Sequence, residues 1–278
     1  MSSQSEKVPS SFPARAQAKW VFIRSRLPVI QANFELPTLL AIGMCLQGLI
    51  FVLLPSYLSV APAALLLIYK LSYTRPKGVE ANWNLKHARL GKWSATVPNH
   101  NGTMPEKAGS NGVVCFVVGN HPLGLFAPGL KETATWFMDM WKDAAENRER
   151  WGYLSHTAPL VSQGPNRGNF LVVLSYWKSL DHLRDFAAHS VHAEGRKWWE
   201  RTRQQWPHIG IFHETYVVPP GHWETIYENM WPFGMGQIRR VEGNGEGWKL
   251  SLGEVGGVLG RADGNEWRSM DVRMGRGD

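Results

Sequence analysis

One apolar stretch constrains the fold of this chain more than any other feature of its sequence. Residues Leu36–Leu54 carry no charged side chain, and their number is close to the ~20 that a helix needs to cross a bilayer. A second, shorter apolar run, Tyr57–Leu71, follows after Pro55 and Ser56. The two runs together predict a membrane helical hairpin over residues 36–72. A single span followed by an interfacial helix is the first alternative, and a buried helical pair in a soluble chain is the second.

Basic residues flank the two apolar runs and are absent from the short connection between them. Arg24 and Arg26 precede the first run, and Arg75 and Lys77 follow the second. Because loops rich in Lys and Arg stay in the cytoplasm, both ends of the hairpin are expected there. The net charge of +7 suits an anionic membrane surface as a partner. No nucleic-acid-binding motif accompanies the charge, so nucleic acid is not expected as a partner.

The remaining chain divides into four parts by composition. Residues 1–35 are polar and then basic, which predicts a disordered stretch followed by a segment on the membrane surface. Residues 73–111 are polar, rich in Gly and Pro, and aperiodic, which indicates a linker. Residues 112–236 form the predicted globular domain, and the glycine-rich residues 237–278 are expected to form a loose surface tail.

Apolar patterns within residues 112–236 predict the order βαββαβ followed by one more strand. The β-branched run that starts at Val113 has the length and composition of a buried strand. Leu130, Phe137 and Trp141 belong to one apolar stripe of the first helix, and Ser179 can cap the second. The predicted strands are 113–120, 153–163, 170–177, 208–218 and 224–229, and the predicted helices are 129–149 and one that begins after Ser179.

A family resemblance lies in the segment that leads from the third of these strands to the last. Trp177-Lys178-Ser179, the following LDHLRDFA and Ser190-Val191-His192 resemble the W-x-S turn, helix and S-x-x-H step of the antibiotic-biosynthesis-type (ABM) monooxygenase superfamily. The longer run HETYVVPPGHWE resembles the fungal monooxygenase family typified by the oxygenase of fumagillin biosynthesis. The resemblance covers roughly residues 110–236, and Met230-Trp231-Pro232 departs from the Met-Pro-Pro expected there.

The resemblance implies an α+β fold, namely a ferredoxin-like βαββαβ dimeric α/β barrel in which two copies pair as a homodimer. It implies oxygenation of a lipophilic secondary metabolite, such as a terpenoid or polyketide, without a metal or flavin. Haem stays open as a cofactor, because other branches of the superfamily bind it and a single histidine can ligate its iron. The hairpin and the fungal pathways of the family point to the endoplasmic reticulum membrane, with the catalytic domain in the cytoplasm.

His192 is the first candidate catalytic residue. On a helix, His192, Arg196 and Trp199 share one face, so the imidazole could take up a proton or hold an enolate oxygen beside them. The alternative is a histidine at a helix start that makes only a local hydrogen bond. Trp177, Trp199 and Phe212 are expected to wall an apolar substrate cleft.

His213 and Glu214 are further candidates for the catalytic base. Because strand side chains alternate, these two face opposite sides of their strand and cannot serve one site without a bulge. Tyr216 follows Glu214 by two residues and is a candidate for substrate contact. Arg196 is a candidate ion-pair partner of Glu214. The alternative for both is a structural pair at the dimer interface.

Glu224 is the last candidate base, and it would share a strand face with His222. Tyr227 would take the other face and is a candidate for substrate contact. A surface strand pair is the alternative. No H-x-x-x-H pair or two-His-one-carboxylate pattern appears, so no metal site is expected. The two cysteines, Cys45 and Cys115, have neither disulfide-framework nor metal-type spacing.

These observations predict a membrane-tethered monooxygenase. Its base removes a proton beside a carbonyl or enol of the substrate, and the resulting carbanion reduces dioxygen directly. A redox-neutral isomerase, cyclase or dehydratase on the same fold is the second hypothesis. A non-catalytic, lipid-binding membrane protein is the third.

Overall fold

The computed structural model describes residues 34, 36–73, 88–99, 103–122, 127–164, 168–238, 258–264 and 267–276. Apart from Phe34, the predicted disordered and interfacial segment 1–35 therefore lies outside the described residues. The helices are α1 (Leu36–Leu53), α2 (Ser56–Ser59), α3 (Ala61–Tyr73), α4 (Leu130–Glu146), α5 (Arg148–Trp151), α6 (Leu180–His189), α7 (Val191–Thr202) and α8 (Met270–Arg273). The strands are β1 (Arg89–Ala95), β2 (Val113–Pro122), β3 (Tyr153–His156), β4 (Leu160–Gly164), β5 (Gly168–Trp177), β6 (Ile209–Val218), β7 (Tyr227–Met230) and β8 (Leu259–Arg261), and a 3₁₀ helix spans Gly234–Gln237.

The main sheet has the ferredoxin-like arrangement. Its five strands follow the order β3-β5-β2-β6, with β4 also paired to β5, and all of these pairings are antiparallel. The predicted βαββαβ order is confirmed. The predicted strand 153–163 is divided into β3 and β4 around Pro159, which has no N–H to donate to a strand ladder.

Helices α4, α6 and α7 lie on one side of this sheet. The side chain of Ser179 accepts a hydrogen bond from the His182 amide at the start of α6, and that of Ser190 accepts one from the His192 amide at the start of α7, so both helices begin with a capped amide. Between helices and sheet lies a buried apolar cluster, whose members are Val114, Ala144, Trp151, Tyr153, Trp177, Leu183 and Phe186.

A second sheet of three strands, in the order β7-β1-β8, was not predicted. Two expectations are therefore wrong. The predicted linker 73–111 contains β1, and the predicted loose tail 237–278 contributes β8 and α8. The predicted last strand, 224–229, corresponds to β7, which pairs with β1 in the small sheet. The small sheet and the 3₁₀ helix form their own buried cluster, which includes Ala95, Val97, Val113, Leu154, Trp223, Met235, Ile238, Val258 and Leu259.

The N-terminal helices lie apart from these clusters. Helix α1 is long and apolar enough to cross a membrane, and none of its residues is buried. Helix α3 is shorter. The side-chain amide of Gln47 in α1 donates a hydrogen bond of 2.8 Å to the carbonyl of Ser59, so the one strongly polar side chain of the first run is satisfied within the helical region.

Candidate functional site

The two faces of the main sheet carry different side chains, and strand register decides which residues share a face. Residues paired directly across strands lie on the same face. Trp177 packs on Phe186 of α6 with ring centroids 5.0 Å apart, so its face is the one toward the helices. We call it the helix-facing side. It carries Val114, Phe116 and Val118 of β2, Ser175 and Trp177 of β5, His213 and Thr215 of β6, and Tyr153 and His156 of β3.

His192 lies at the start of α7 on this side of the sheet. Its Nδ1 atom lies 3.1 Å from the carbonyl oxygen of Ala187, and its ring centroid lies 5.8 Å from that of Phe186. Because a carbonyl can only accept, Nδ1 carries the proton and Nε2 of the neutral ring keeps its lone pair. Burial lowers the pKa of His192, the Ala187 hydrogen bond opposes this, and the charges of Arg196 and His213 lower it further.

His213 lies close enough to His192 for the two charges to interact. Its ring contacts Phe116, with centroids 5.4 Å apart. From Ile211 to Val217 the β6 residues of the helix-facing side are exposed, and Ile211 and Val217 are 44% and 58% accessible. The helix-facing side is therefore open along β6, and His192 and His213 lie beside the opening. A neutral imidazole with a free Nε2 beside an open apolar surface can accept a proton from a bound substrate.

Glu214 lies on the opposite face from His213, as strand alternation predicts. We call that face the outer side. The hydroxyl of Tyr216 donates a hydrogen bond of 2.5 Å to Oε2 of Glu214, and both residues are exposed. Arg196 was predicted to pair with Glu214, and this is wrong. Its Nε lies 3.9 Å from Oε1 of Glu200 on the same helix.

Glu224 is held in a structural ion pair. Nε of Arg273 in α8 donates a hydrogen bond of 2.6 Å to Oε2 of Glu224, and the two side chains are 6% and 22% accessible, respectively. Nη1 of Arg273 also donates to the carbonyls of Trp267 and Arg268. The predicted pairing of Glu224 with His222 is not formed, because Nδ1 of His222 lies 2.8 Å from the carbonyl of Pro220. Glu224 thus fastens the C-terminal segment to the domain.

The predicted substrate-contact residues are dispersed. Trp177 is fully buried and donates its Nε1–H to Oγ of Ser175 at 2.9 Å. Tyr227 donates its hydroxyl to the carbonyl of Phe233 and accepts from the amide of Gly236. Phe212, 39% accessible, lies on the outer side with its ring near Phe170. The remaining two, Arg196 and Trp199, lie on α7.

A cluster at the other edge of the helix-facing side was missed by sequence reasoning. The hydroxyl of Tyr153 hydrogen-bonds Nδ1 of His156, and the indole of Trp141 stacks on the His156 ring with centroids 4.7 Å apart. Burial lowers the pKa of His156 to about 4. Burial also raises the pKa of Tyr153, and the charge of Arg148 opposes this in part.

A bulge in β3 brings this cluster together. Tyr153 pairs with Trp177, whereas Ser155 pairs with Tyr176 and His156 with Ser175, so the register shifts between Tyr153 and Ser155. Strict alternation would place residues three apart on opposite faces. The extra residue places Tyr153 and His156 on the same face. A histidine in a predicted strand was the only signal in the sequence.

A metal ion in a protein is held by a cluster of side chains such as His, Cys, Asp and Glu. Within the described ranges, no group of three or more His, Cys, Asp or Glu side chains could hold one. The expectation of chemistry without a metal or flavin stays a prediction, as does the haem alternative, for which one imidazole would suffice.

Sequence comparison relates most of the chain to one family. The family model described as monooxygenase af470-like matches residues 113–235. Monooxygenase af470 of Aspergillus fumigatus is 30% identical over 254 residues, which cover 88% of this chain and 89% of that protein. The chain belongs to the monooxygenase af470-like family. The resemblance drawn from the W-x-S and HETYVVPPGHWE segments is thereby confirmed. The family match runs from β2 to the 3₁₀ helix, and the alignment with the Aspergillus relative extends beyond it.

Solved structures give weaker likenesses to this chain. An aldoxime dehydratase, OxdRE, matches with a TM-score of 0.34 and 16% identity. The match covers 50% of this chain and 34% of that one. SnoaB of Streptomyces nogalater, described as a cofactor-independent oxygenase, matches with a TM-score of 0.26 and 18% identity over 38% of this chain and 92% of that one. A Bacteroides fragilis protein of ferredoxin-like fold matches with a TM-score of 0.26 and 14% identity over 40% of this chain and 99% of that one. These likenesses carry no argument about function, and the strand order alone supports the fold assignment.

Proposed function

We propose that this af470-like protein is a membrane-tethered monooxygenase that oxidises a lipophilic secondary metabolite, a terpenoid or polyketide, in a fungal biosynthetic pathway. One observation carries the chemistry. The Ala187 carbonyl holds the proton of His192 on Nδ1, so Nε2 is available as a base at the open edge of the helix-facing side. Burial lowers the pKa of this ring. At pH 7 the ring is therefore neutral and can accept a proton.

The proposed reaction balances without an added reductant. Nε2 of His192 removes a proton from a carbon beside a carbonyl or enol of the substrate. The carbanion passes electrons to dioxygen, a carbon–oxygen bond forms, and the imidazolium returns its proton to give a hydroperoxide. The oxidised carbon is a CH₂ group of the substrate, so the hydroperoxide carbon keeps one hydrogen. Loss of that hydrogen together with the outer O–H as water leaves a new carbonyl group. One oxygen atom of dioxygen is then in the product and the other is in water.

The N-terminal helices support the membrane part of the proposal. The exposed apolar surface of α1 and α3 would be unfavourable in water and suits a bilayer. The hydrogen bond from Gln47 to the Ser59 carbonyl removes the cost of placing an unpaired amide in lipid. A hairpin with both ends in the cytoplasm, in the endoplasmic reticulum membrane, would hold the domain where a lipophilic substrate is concentrated.

The outer side supports the proposed homodimer. Leu160, Phe212 and Tyr216 are 37%, 39% and 51% accessible, respectively, and all three share this face by their register. A second copy would bury these side chains, as a half-covered sheet requires. Glu214 and Tyr216, already bonded to each other, would enter that interface as a satisfied pair.

Oxygen consumption by the full chain in detergent tests the proposal. Purified protein with an enolisable lipophilic ketone should consume oxygen and incorporate one atom of labelled dioxygen into the product. Its visible spectrum should lack a strong band near the Soret region, whereas such a band would replace the proposed mechanism with haem chemistry. Product formation without oxygen uptake would favour the redox-neutral enzyme. Binding without turnover of any candidate substrate would favour the lipid-binding protein.

A further inference from the structure

The strongest unassigned feature of the helix-facing side is the cluster of Trp141, Tyr153 and His156. Trp141 comes from α4, and the other two come from the bulged strand β3. The Nε1–H of Trp141 is buried and, in the described part of the chain, has no hydrogen-bond partner. A buried donor without an acceptor lowers stability, so a protein retains one where a ligand or an ordered water supplies the acceptor.

The protons of the neighbouring groups can be assigned. The Tyr153 hydroxyl keeps its proton, because burial raises its pKa. In the described part of the chain its one hydrogen-bond partner is Nδ1 of His156, so the buried hydroxyl proton has no other acceptor and is donated to Nδ1. His156 is neutral at pH 7, because burial lowers its pKa to about 4. A neutral ring that accepts at Nδ1 carries its proton on Nε2. The tautomer is thus the opposite of that of His192, and His156 offers a donor where His192 offers a base.

Two N–H donors therefore belong to one pair of stacked rings. The indole of Trp141 and the imidazole of His156 lie with their planes inclined by 25°. Neither hydroxyl near these rings accepts from the Trp141 indole within the described residues. Oγ of Ser175 accepts from Trp177 and donates to the Phe116 carbonyl, and the Tyr153 hydroxyl is bonded to His156.

We propose that Trp141 and His156 form a subsite that donates hydrogen bonds to an oxygen atom of the substrate, a ketone or enolate oxygen, with Tyr153 as the positioning residue that fixes the His156 tautomer. This inference rests on the proposed function, since it assigns a substrate class to the same face of the sheet. The substrate is then oxygenated before it arrives, and an earlier oxidation or a ketone-forming step must supply it.

The position of the subsite sets a requirement on substrate length. His156 aligns with Ser175, Ser175 with Phe116, and Phe116 with Thr215 beside His213. Three strand spacings separate the two edges, which is about 14 Å between backbones. An elongated apolar molecule with an oxygen at one end can reach both the subsite and the His192 edge.

A matched pair of probes tests the subsite without any turnover. 2-Acetylnaphthalene and 2-isopropenylnaphthalene have nearly the same shape, but only the ketone accepts hydrogen bonds. The full chain in detergent should bind the ketone more tightly, by about fivefold for each hydrogen bond formed. The carbonyl stretch of the bound ketone should lie at lower frequency than in hexane. An unshifted stretch or equal affinities in the wild-type protein would overturn the proposal.

Two variants test whether the preference for the ketone depends on Trp141 and Tyr153. Trp141→Phe keeps a ring for stacking and removes the N–H, so the ketone preference should fall about fivefold. Tyr153→Phe frees the His156 tautomer and should reduce both the preference and the infrared shift. Trp136→Phe is the control, because this indole lies on the same helix against Trp198, with centroids 6.1 Å apart. An equal loss in all three variants would assign the effect to general packing and overturn the proposal.

The outcomes separate the subsite from the proposed function. A ketone preference that depends on Trp141, in a protein that never consumes oxygen, would retain the subsite and reject the monooxygenase. Oxygen uptake by a protein with no such preference would retain the monooxygenase and reject the subsite.

Discussion

The helix-facing side and the outer side of the main sheet contain similar kinds of polar residue but use them differently. On the helix-facing side, His192 and His156 each engage Nδ1 in a hydrogen bond, and no hydrogen bond to Nε2 of either ring forms within the described residues. On the outer side, Glu214 and Tyr216 bond each other. A histidine with one ring nitrogen still unbonded can act on a ligand. A carboxylate and a hydroxyl that bond each other are already satisfied.

The two faces also differ in what covers them. The helix-facing side is covered by α4, α6 and α7 and is open along β6. Part of the outer side is covered by the small sheet and the 3₁₀ helix, whose cluster includes Tyr176 and Tyr227 as partly buried members. Burial raises the pKa of Tyr176 to about 12, and Cys115 and Tyr227 contribute. The groups that could still act on a substrate therefore lie on the helix-facing side, and the outer side carries the buried contacts with the small sheet.

The largest effect is expected from His192→Ala. Removing a general base costs about 10²-fold to 10⁴-fold in turnover. Oxygen uptake with an enolisable ketone measures the loss. His189→Ala is the matched control, because this exposed histidine lies on α6 and its polar contacts within the described ranges are with Asp185. Unchanged turnover in His192→Ala would show that His192 is not the base, and the proposed catalytic role of the helix-facing side would then be wrong.

A loss of stability without a direct loss of chemistry is expected from Arg273→Ala. The change leaves the carboxylate of Glu224 partly buried and unpaired, which should lower the free energy of unfolding by about 3 kcal/mol. Denaturant unfolding in detergent measures it. Arg261→Ala is the control, since its pair with Asp263 is exposed and should contribute about 0–1 kcal/mol. Equal effects of the two variants would contradict the role of Glu224 as a clamp.

A loss of stability at low pH is expected from the protonation of His156. Its folded pKa of about 4 lies below the unfolded value of about 6.5. Between these pH values the unfolded chain binds the proton more readily, so stability is present above pH ~6.5 and falls as the pH drops toward ~4. The loss should be about 2–3 kcal/mol. His156→Asn should abolish this part of the profile, and His189→Asn should leave it; an unchanged profile in His156→Asn would refute the assignment.

A packing effect confined to the outer side is expected from Gly119→Ala. A Cβ at Gly119 would lie 2.6 Å from the Leu171 carbonyl oxygen and 2.3 Å from the Phe212 ring. Overpacking of this kind costs about 1–3 kcal/mol, which thermal unfolding would show. Gly210→Ala is the control, because the nearest atom, Cβ of His121, would lie at 3.6 Å. Similar unfolding temperatures for both variants would mean that the two strands can separate without cost.

The smallest effect is expected from Glu214→Gln. Because Glu214 faces away from His192 and is bonded to Tyr216, turnover should change by less than about twofold. The dimerisation constant, measured by sedimentation at several protein concentrations, is the sensitive readout. A hundredfold loss of turnover would indicate that the catalytic base is Glu214 on the outer side and not His192 on the helix-facing side.

Local patterns in the sequence predicted several features of the fold and the site. The apolar run from Leu36 predicted α1, and Ser179 caps the start of α6 as predicted. Strand alternation correctly separated His213 from Glu214. These features depend on residues within a few positions of each other, so their physical cause is visible in the chain itself.

Contacts between distant segments were decided only by the tertiary structure. The strands β1 and β8 lack an apolar period of their own and form because they pair with each other and with β7. Glu224 looked like a base until Arg273, 49 positions away, proved to be its partner. Tyr153 and His156 share a face only because β3 bulges against β5. In each case the free energy comes from a pairing that closes a long loop, and no local pattern encodes which distant segment supplies the partner.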